Sequence, residues 1–342
     1  MISIVLRQLG VFFITLFILS LLAFSLAYLF PGDPVSNSSG ILINQPQYDA
    51  IAQARGFKQG LVQQYLAYMH HLLTLDWGVS LQDGASVWHE FKVRFPASLE
   101  LSVLAMGLAL LIGPPLGILA AIHHNKPIDQ VISFLSISGY SIPVFWFAQL
   151  SILMFAVLLG WLPIAGQINP LFDVPLVTGS VLLDTTLSDT PYQGIALLNA
   201  LQHMLLPVVV LATVPLVLLI RLTRNACIDV QRMSFVQGAY ARGLSKFSVL
   251  RKHIIPNAMQ RVTPSVNTAF SLLMTNTLII EIIFSWPGLG QWFVRSIYER
   301  DYPVIQSALL LLTVLILFVN MMTNIYYVWR YPRVRRELNA TR

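Results

Sequence analysis

Charge, cysteine and nucleotide-binding motifs are all scarce in this chain. Only 11% of its 342 residues are Asp, Glu, Lys or Arg, compared with about 25% in a typical soluble domain. Cys227 is the single cysteine, which excludes an internal disulfide framework and a CxxC metal site. No lysine follows a glycine, so the Gly-Lys-Ser/Thr ending of a P-loop is absent. If ATP drives this protein, another chain must bind it.

The chain contains long apolar segments that carry little charge. Hydrophobic residues make up 56% of the chain, and the mean hydropathy is +0.69. A helix needs roughly 20 residues to span a bilayer, and six apolar segments are long enough. They are 11–30, 101–122, a segment within 131–162, 204–220, 262–283 and 304–329. Because backbone groups in lipid must be hydrogen-bonded within the protein, we expect six transmembrane helices in an all-α integral membrane protein.

The first apolar segment has two interpretations, a retained transmembrane helix and a cleaved signal peptide. Its run of about 20 apolar residues exceeds the usual 7–15 of a signal-peptide core. Leu29-Phe30-Pro31 also lacks the small residues of a cleavage site. We therefore expect residues 1–30 to form a retained N-terminal transmembrane helix.

The basic residues predict the orientation of these helices. With the N-terminus inside, inner segments hold fifteen of the 21 Lys and Arg residues: Arg7 and Lys126, eight from Arg221 to Arg261, and five from Arg330 to Arg342. The excess of Lys and Arg in short inner loops is the positive-inside pattern, and it predicts that both termini are cytoplasmic. The net charge of +6 is thus a topology signal and gives no reason to expect a nucleic-acid partner.

The spans divide the chain into four parts. After the first helix, residues 31–97 form an outer segment with amphipathic stretches but too little apolar sequence for an independent core. Residues 98–329 hold the other five helices, and residues 330–342 form a basic inner tail. Prolines at 114, 115, 143, 207, 215 and 264 are predicted to break the spans. Ordinary kinking is the first interpretation of such breaks, and kinked helices that line an opening and closing pathway are the second.

An inner loop at 224–260 interrupts the apolar pattern. Within the stretch 234–244 we expect a helix that presents the small residues Gly238, Ala239 and Ala241. Gly243 breaks it, and a basic second helix follows. This pattern predicts a compact knob outside the membrane that docks on another protein. A basic amphipathic segment lying on anionic lipid is the alternative.

Several motifs resemble the permeases of the dipeptide/oligopeptide ABC-transporter family. The most specific is the sequence 281–292, EIIFSWPGLGQW, followed by Asp301-Tyr302-Pro303. Further matches lie at 30–34, 95–101, 139–146 and 203–207, so the resemblance covers nearly the whole chain. Residues 160–163 and 187–192 are most similar to permeases of Sap (antimicrobial-peptide) systems.

The resemblance implies the type I importer permease fold in a bacterial inner membrane, with 31–97 periplasmic. It also implies four kinds of partner: a second permease subunit, two cytoplasmic ATP-binding subunits, a periplasmic substrate-binding protein and the lipid bilayer. The permease itself would be neither an enzyme nor the holder of a cofactor. Di- and oligopeptides, nickel, glutathione and cationic peptides are all substrates within the family, and no residue here selects among them.

The resemblance assigns the knob to coupling with the ATP-binding subunits. The coupling motif usually reads Glu-Ala-Ala-x-x-x-Gly, whereas this chain keeps the glycine spacing and lacks the acid. The predicted coupling residues are Gln237, Gly238, Ala239, Arg242 and Gly243. Gly238 and Ala239 are expected to allow close approach of the ATP-binding subunit, and Arg242 and Lys246 to meet acidic residues on it.

Glu281 is the carboxylate of the fifth predicted span. An ionisable group inside a membrane costs free energy and indicates function by default. In one interpretation, Glu281 is hydrogen-bonded to the turn at Trp286–Gly290 and shapes an outer gate. The gate residues are then Glu281, Trp286, Pro287, Gly288 and Gly290. The other interpretation makes Glu281 the proton site of a proton-coupled secondary transporter, although no inverted repeat is visible in the sequence.

Overall fold

The computed structural model describes residues 2–29, 33–54, 59–188 and 190–331. Within them the regular structure is helical, apart from an isolated bridge between Val79 and Ser86. Residues 30–32 of the predicted 30–34 motif and the basic tail from 332 onward lie outside the described residues. The helices are α1 Ile2–Leu29, α2 Pro34–Ser39, α3 Tyr48–Ala54, α4 Leu61–Leu73, α5 Val87–Ile122, α6 Pro127–Ser141, α7 Val144–Ser151, α8 Val181–Leu187, α9 Gln193–Gln231, α10 Ser234–Ala241, α11 Lys246–Val249, α12 Ile255–Val262, α13 Ser265–Ile283, α14 Leu289–Glu299 and α15 Tyr302–Arg330.

Five of these helices are long and apolar enough to cross a membrane by themselves: α1, α5, α9, α13 and α15. The prediction of an all-α membrane protein is confirmed in the described residues. Two of the helices are much longer than the predicted spans, however, since α5 has 36 residues and α9 has 39. At 1.5 Å per residue, both exceed the roughly 30 Å thickness of the hydrocarbon core. α5 accordingly begins at Val87, inside the segment predicted as the outer connection.

The third predicted span is a bent pair of helices rather than one helix. α6 and the helix from Val144 to Leu158 meet at an angle of 101°. The break follows from Pro143, because the residue before a proline is disfavoured in α conformation. Ile142 is indeed extended, with φ −83° and ψ 124°. Residues 152–158 then continue as a π-helix.

Contacts at its two ends show that the bent pair connects opposite ends of the bundle. Asp129, in the first turn of α6, bonds Arg224 near the end of α9. Beyond the pair, Gly166 N donates to Phe284 O, which directly follows α13. We call the end with residues 224–262 and Arg330 the basic end, and the end with residues 77–98 and 284–301 the opposite end. The pair therefore completes six passages between them.

The centre of the bundle is the close packing of α5 on α9. A Cβ on Gly117 of α5 would lie 2.6 Å from Ile220 O and 2.7 Å from Thr223 Cβ of α9, so glycine is required there. Small residues at helix interfaces allow such approach in membranes. Both helices continue through the prolines predicted to break them: Pro114, Pro115, Pro207 and Pro215. The predicted breaks occur only at Pro143 and Pro264, which precede the starts of α7 and α13.

Candidate functional site

The first candidate site is the knob at the basic end, residues 232–262. Its helix α10 ends at Ala241, and Gly243 follows with φ 81°, in the left-handed region that favours glycine. Gly243 N donates to Tyr240 O at 2.9 Å. Ser245 then caps α11, because its Oγ accepts from Ser248 N at 3.3 Å. The predicted break at Gly243 is confirmed, and it lets α11 pack against α10.

The predicted coupling residues divide into exposed and buried ones. Gln237 and Arg242 are exposed, and space is open where a Cβ on Gly238 would lie. Ala239, by contrast, is 0% exposed and packs in the chain's own core cluster together with Val236. The expectation that Ala239 faces a partner does not match this placement, since its methyl group packs inside the knob. Its role in coupling stays a prediction.

Exposed apolar side chains on the knob were missed in the sequence. Phe247 is 71% exposed, and Phe235, Tyr240 and Leu244 are exposed as well. Their neighbours Arg242 and Lys246 are also exposed, so the surface mixes aromatic and basic groups. The signal available was Phe247 itself, an aromatic residue in a basic loop outside every apolar span. Large apolar side chains exposed together outside the membrane are typical of protein–protein contact sites.

An ion pair at the basic end joins α6 to α9. Arg224 Nε and Nη2 donate to the two carboxylate oxygens of Asp129, at 2.5 Å and 2.8 Å. Asp129 is buried and also accepts from Asn125 N at 2.9 Å, with His124 Nδ1 3.2 Å away. Two parallel bonds fix the relative position of the groups more firmly than one. The sequence did not reveal this pair, because its members are 95 residues apart.

The second candidate site is a buried cluster around Glu281 at the opposite end. Glu281 is 0% exposed. Its Oε2 accepts from Gly290 N at 2.6 Å and from Gln291 N at 3.2 Å. Its Oε1 accepts from Ser98 Oγ at 2.5 Å. The predicted hydrogen bonds to the turn that follows α13 are therefore confirmed, whereas the gate role stays a prediction.

Ser98 and Trp286 bind the same turn to α5. Ser98 Oγ donates to Glu281 and accepts from Leu289 N at 2.7 Å. The indole Nε1 of the fully buried Trp286 donates to Ala97 O at 3.0 Å. The cluster thus joins three elements: α5 at residues 97 and 98, the end of α13 and the start of α14. Ser98 was missed as a partner because it lies 183 residues from Glu281.

The glycines of the cluster are sterically required. A Cβ on Gly290 would lie 2.7 Å from Leu278 Cα and 2.9 Å from Glu281 Oε2. A Cβ on Gly288 would overlap the side chains of Glu281 and Ser98. Pro287, between Trp286 and Gly288, is exposed. The turn is therefore closed around the carboxylate, and four of the five predicted gate residues are packed inside the protein.

This geometry disfavours the proton-transport interpretation of Glu281. The carboxylate accepts three hydrogen bonds, two of them from backbone amides that cannot act as acceptors. These three bonds hold the side chain in one position, and none of it is exposed. The arrangement is that of a structural carboxyl group that joins the turn to α5.

Comparisons with known proteins give the same family over the whole chain. Residues 113–336 match the model described as "Binding-protein-dependent transport system inner membrane component". Residues 1–102 match the N-terminal model of such membrane components. Together the two matches leave out residues 103–112 of α5 and cover both candidate sites.

Three curated relatives span the full length of the chain. A di/tripeptide transport system permease protein DppB of Pseudomonas aeruginosa is 40% identical over 98% of this chain and 100% of its own length. A peptide transport system permease protein SapB of Salmonella typhimurium is 36% identical, over 100% of both chains. A putrescine export system permease protein SapB of Escherichia coli is 35% identical, also over 100% of both. Dpp and Sap permeases are thus both among the relatives, at similar identity.

Proposed function

Because the chain belongs to the family of binding-protein-dependent transport system inner membrane components, we propose that its knob is the docking surface for a cytoplasmic ATP-binding subunit. The chain is a multi-pass permease subunit of a bacterial ABC transporter that moves peptides or related small solutes across the inner membrane. The ATP-binding subunit would move the permease subunit through this surface and its residues.

The observation that carries the proposal is the exposed aromatic and basic surface of the knob. Burying Phe247, which is 71% exposed, would remove apolar area from water at about 25 cal/mol per Å². Arg242 and Lys246 flank it and suit an acidic rim on the partner. Gln237 and Gly238 lie on the same short helix, and Gly243 holds the turn that positions Phe247.

Coupling also requires that motion of the knob reaches the membrane helices. The knob follows α9 directly, and α9 is fixed to the bent pair by Arg224 and Asp129. A displacement of the knob would therefore move α6 together with α9. In this proposal the kinked third passage is the element that changes position as the ATP-binding subunits close, in an alternating-access cycle.

The Glu281 cluster is proposed as the fixed frame of the outer gate. Glu281 at the end of α13 and Gly290 at the start of α14 enclose the turn that contains Trp286, Pro287 and Gly288. Hydrogen bonds to residues 97 and 98 hold these two helix ends against α5. The turn would then move as a unit when the pathway opens.

The proposed assembly contains this permease, a second and similar permease, two ATP-binding subunits and a periplasmic substrate-binding protein. ATP would be bound by the partner subunits, and this chain would contribute no catalytic group and no cofactor. The relatives' names include di/tripeptides, peptides and putrescine. We place substrate choice mainly with the binding protein, and the solute class is peptides or related small solutes.

The docking proposal can be tested by affinity purification of the tagged chain from its native membrane in mild detergent. We expect P-loop ATPases and a second six-passage permease to co-purify. The double variant Arg242→Glu, Lys246→Glu should release the ATPases while keeping the second permease. Arg300→Glu, an exposed arginine at the opposite end, is the matched control and should keep both.

Two results would contradict the docking proposal. One is recovery of the chain alone from the native membrane. The other is unchanged ATPase recovery with the double variant. Uptake that persists after mutation of the ATPase Walker lysine and stops with a protonophore would separately contradict the ATP-driven mechanism.

A further inference from the structure

A cleft at the basic end carries positive charge with no opposing carboxylate. It has a volume of about 980 Å³ and lies between the knob and the end of α15. Its charged and titratable lining residues are Lys252, His253 and Arg330 together with two tyrosines, and neither Asp nor Glu lines it within the described part of the chain. The cleft therefore favours an anionic occupant.

The cations of the cleft have no neutralising carboxylate among the residues that the structure describes. Among the described residues, no carboxylate lies within 4.0 Å of Lys252 or Arg330. Arg330 instead lies over the ring of Tyr331, with its guanidinium carbon 5.7 Å from the ring centroid. Lys252 and Arg330 are both exposed. Their charges are thus available to a ligand.

An apolar groove continues from this cleft toward the bilayer core. The groove has a volume of about 490 Å³ and shares Met259 and Tyr326 with the cleft. Along α15, Met322 and Thr323 extend its lining one turn deeper than Tyr326. Leu110 and Leu219, from α5 and α9, complete its inner part. Cleft and groove together are polar and basic at the membrane surface and apolar at depth.

We propose that this combined site binds one anionic phospholipid of the cytoplasmic leaflet. Lys252 and Arg330 bind the phosphate, and an acyl chain lies in the groove along Tyr326 and Met322. Basic pockets between membrane helices on the cytoplasmic side suit anionic headgroups. Tyr326 and Trp329, which are exposed near the end of α15, fit the aromatic belt at the level of the headgroups.

Two other occupants fit the site less well. The tail from residue 332 onward contains Arg333, Arg335 and Arg336 against a single acid, Glu337, so its charge repels the cleft. An ATP-binding subunit would cover the exposed apolar groups of the knob. Of these only Phe235 lines the cleft, whereas Tyr240, Leu244 and Phe247 do not. A protein partner also gives no reason for a groove that continues into the membrane. Native mass spectrometry distinguishes both occupants from a bound lipid.

Native mass spectrometry of the full-length chain, released from detergent, measures this lipid binding directly. Phosphatidylglycerol and phosphatidylcholine with identical acyl chains are added in separate titrations. We expect one phosphatidylglycerol to bind at least tenfold more tightly than phosphatidylcholine. Removing the charges with Lys252→Gln and Arg330→Gln should weaken phosphatidylglycerol binding about fivefold for each charge and leave phosphatidylcholine binding unchanged.

Matched variants locate the site. Arg251→Gln removes an exposed neighbouring charge that does not line the cleft, so it should leave the phosphatidylglycerol affinity within about twofold. Thr323→Phe should fill the groove and weaken binding although every charge is kept. Equal affinity for the two lipids, or an equal loss with Arg251→Gln and Lys252→Gln, would overturn the proposal.

The alternative occupants give different results in the same assay. Displacement of the lipid by glycerol 3-phosphate at equal concentration would indicate a site for a soluble anion and would overturn the lipid assignment. Loss of the bound lipid when the ATP-binding subunits join the complex would assign the cleft to a protein interface instead. Retention of phosphatidylglycerol in the complete transporter is the expected result.

Discussion

The two candidate sites differ in whether their polar and apolar groups have partners inside this chain. At the opposite end, Glu281 is fully buried and accepts three hydrogen bonds. At the basic end, Phe247 is largely exposed, and Arg242 and Lys246 have no carboxylate within ion-pair distance among the described residues. A saturated site is complete in itself and serves the fold. An unsatisfied surface requires a partner.

This difference predicts that stability and transport can be separated by mutation. Changes in the Glu281 cluster should lower the free energy of unfolding, and transport should fall as folded protein is lost. Changes on the surface of the knob should leave folding intact and stop transport through loss of coupling. The expected loss of stability decreases in the order Glu281, Gly290, Gly243, Phe247.

Glu281→Leu should have the largest effect. It leaves the amides of Gly290 and Gln291 and the hydroxyl of Ser98 without their acceptor in a buried site. Each unsatisfied buried donor costs about 1–3 kcal/mol. We expect little folded protein in the membrane, measured by fluorescence-detected size-exclusion chromatography. Glu281→Gln keeps one acceptor oxygen and should recover part of the yield, so equal yields of Leu variant and wild type would disprove the structural role.

Gly290→Ala should be the next most destabilising change. Its new methyl group would lie 2.7 Å from Leu278 Cα, and backbone cannot move away cheaply. Overpacking of this kind costs about 1–3 kcal/mol. A lower thermal unfolding midpoint in detergent would report it. Gly194→Ala is the control, because no atom lies within 4 Å of its Cβ position, and it should not lower the midpoint.

Gly243→Ala should cost about 1–2 kcal/mol locally, because an alanine at φ 81° is strained. The strain falls on the turn that positions Phe247, so we expect reduced coupling with a small change in the unfolding midpoint. ATP-driven uptake into proteoliposomes of the complete transporter measures coupling. Gly238→Ala lies in a helix with open space around it and should leave the fold unstrained. Normal uptake with Gly243→Ala would contradict the proposed role of the turn.

Phe247→Asp should have the smallest effect on stability and a large effect on transport. The side chain is exposed, so replacing it costs the fold within about 0.5 kcal/mol. Loss of its apolar contact should abolish substrate-stimulated ATP hydrolysis in the assembled transporter. A variant that unfolds would contradict the separation of the two sites, and so would one that retains full stimulation.

The fold was predictable as far as it depends on local sequence. Apolar runs identified the membrane helices, and the motif around Glu281 identified the turn it bonds. Contacts between distant residues were not predictable, as Ser98 with Glu281 and Asp129 with Arg224 illustrate, because one sequence carries no pairing information. Ala239 was misplaced for a related reason: small residues pack inside a knob as readily as they line its surface. A break at Pro143 was predictable, whereas its angle of 101° was not, since the angle depends on tertiary packing.

The central claim is that Phe247 contacts an ATP-binding subunit, and photo-crosslinking in native membranes tests it most directly. A photoreactive phenylalanine analogue is placed at Phe247, and at the highly exposed Leu171 of the opposite end as the control. The account predicts a crosslink from position 247 to a P-loop ATPase, and none to that subunit from position 171. A crosslink from position 247 only to lipid or to the second permease would contradict it.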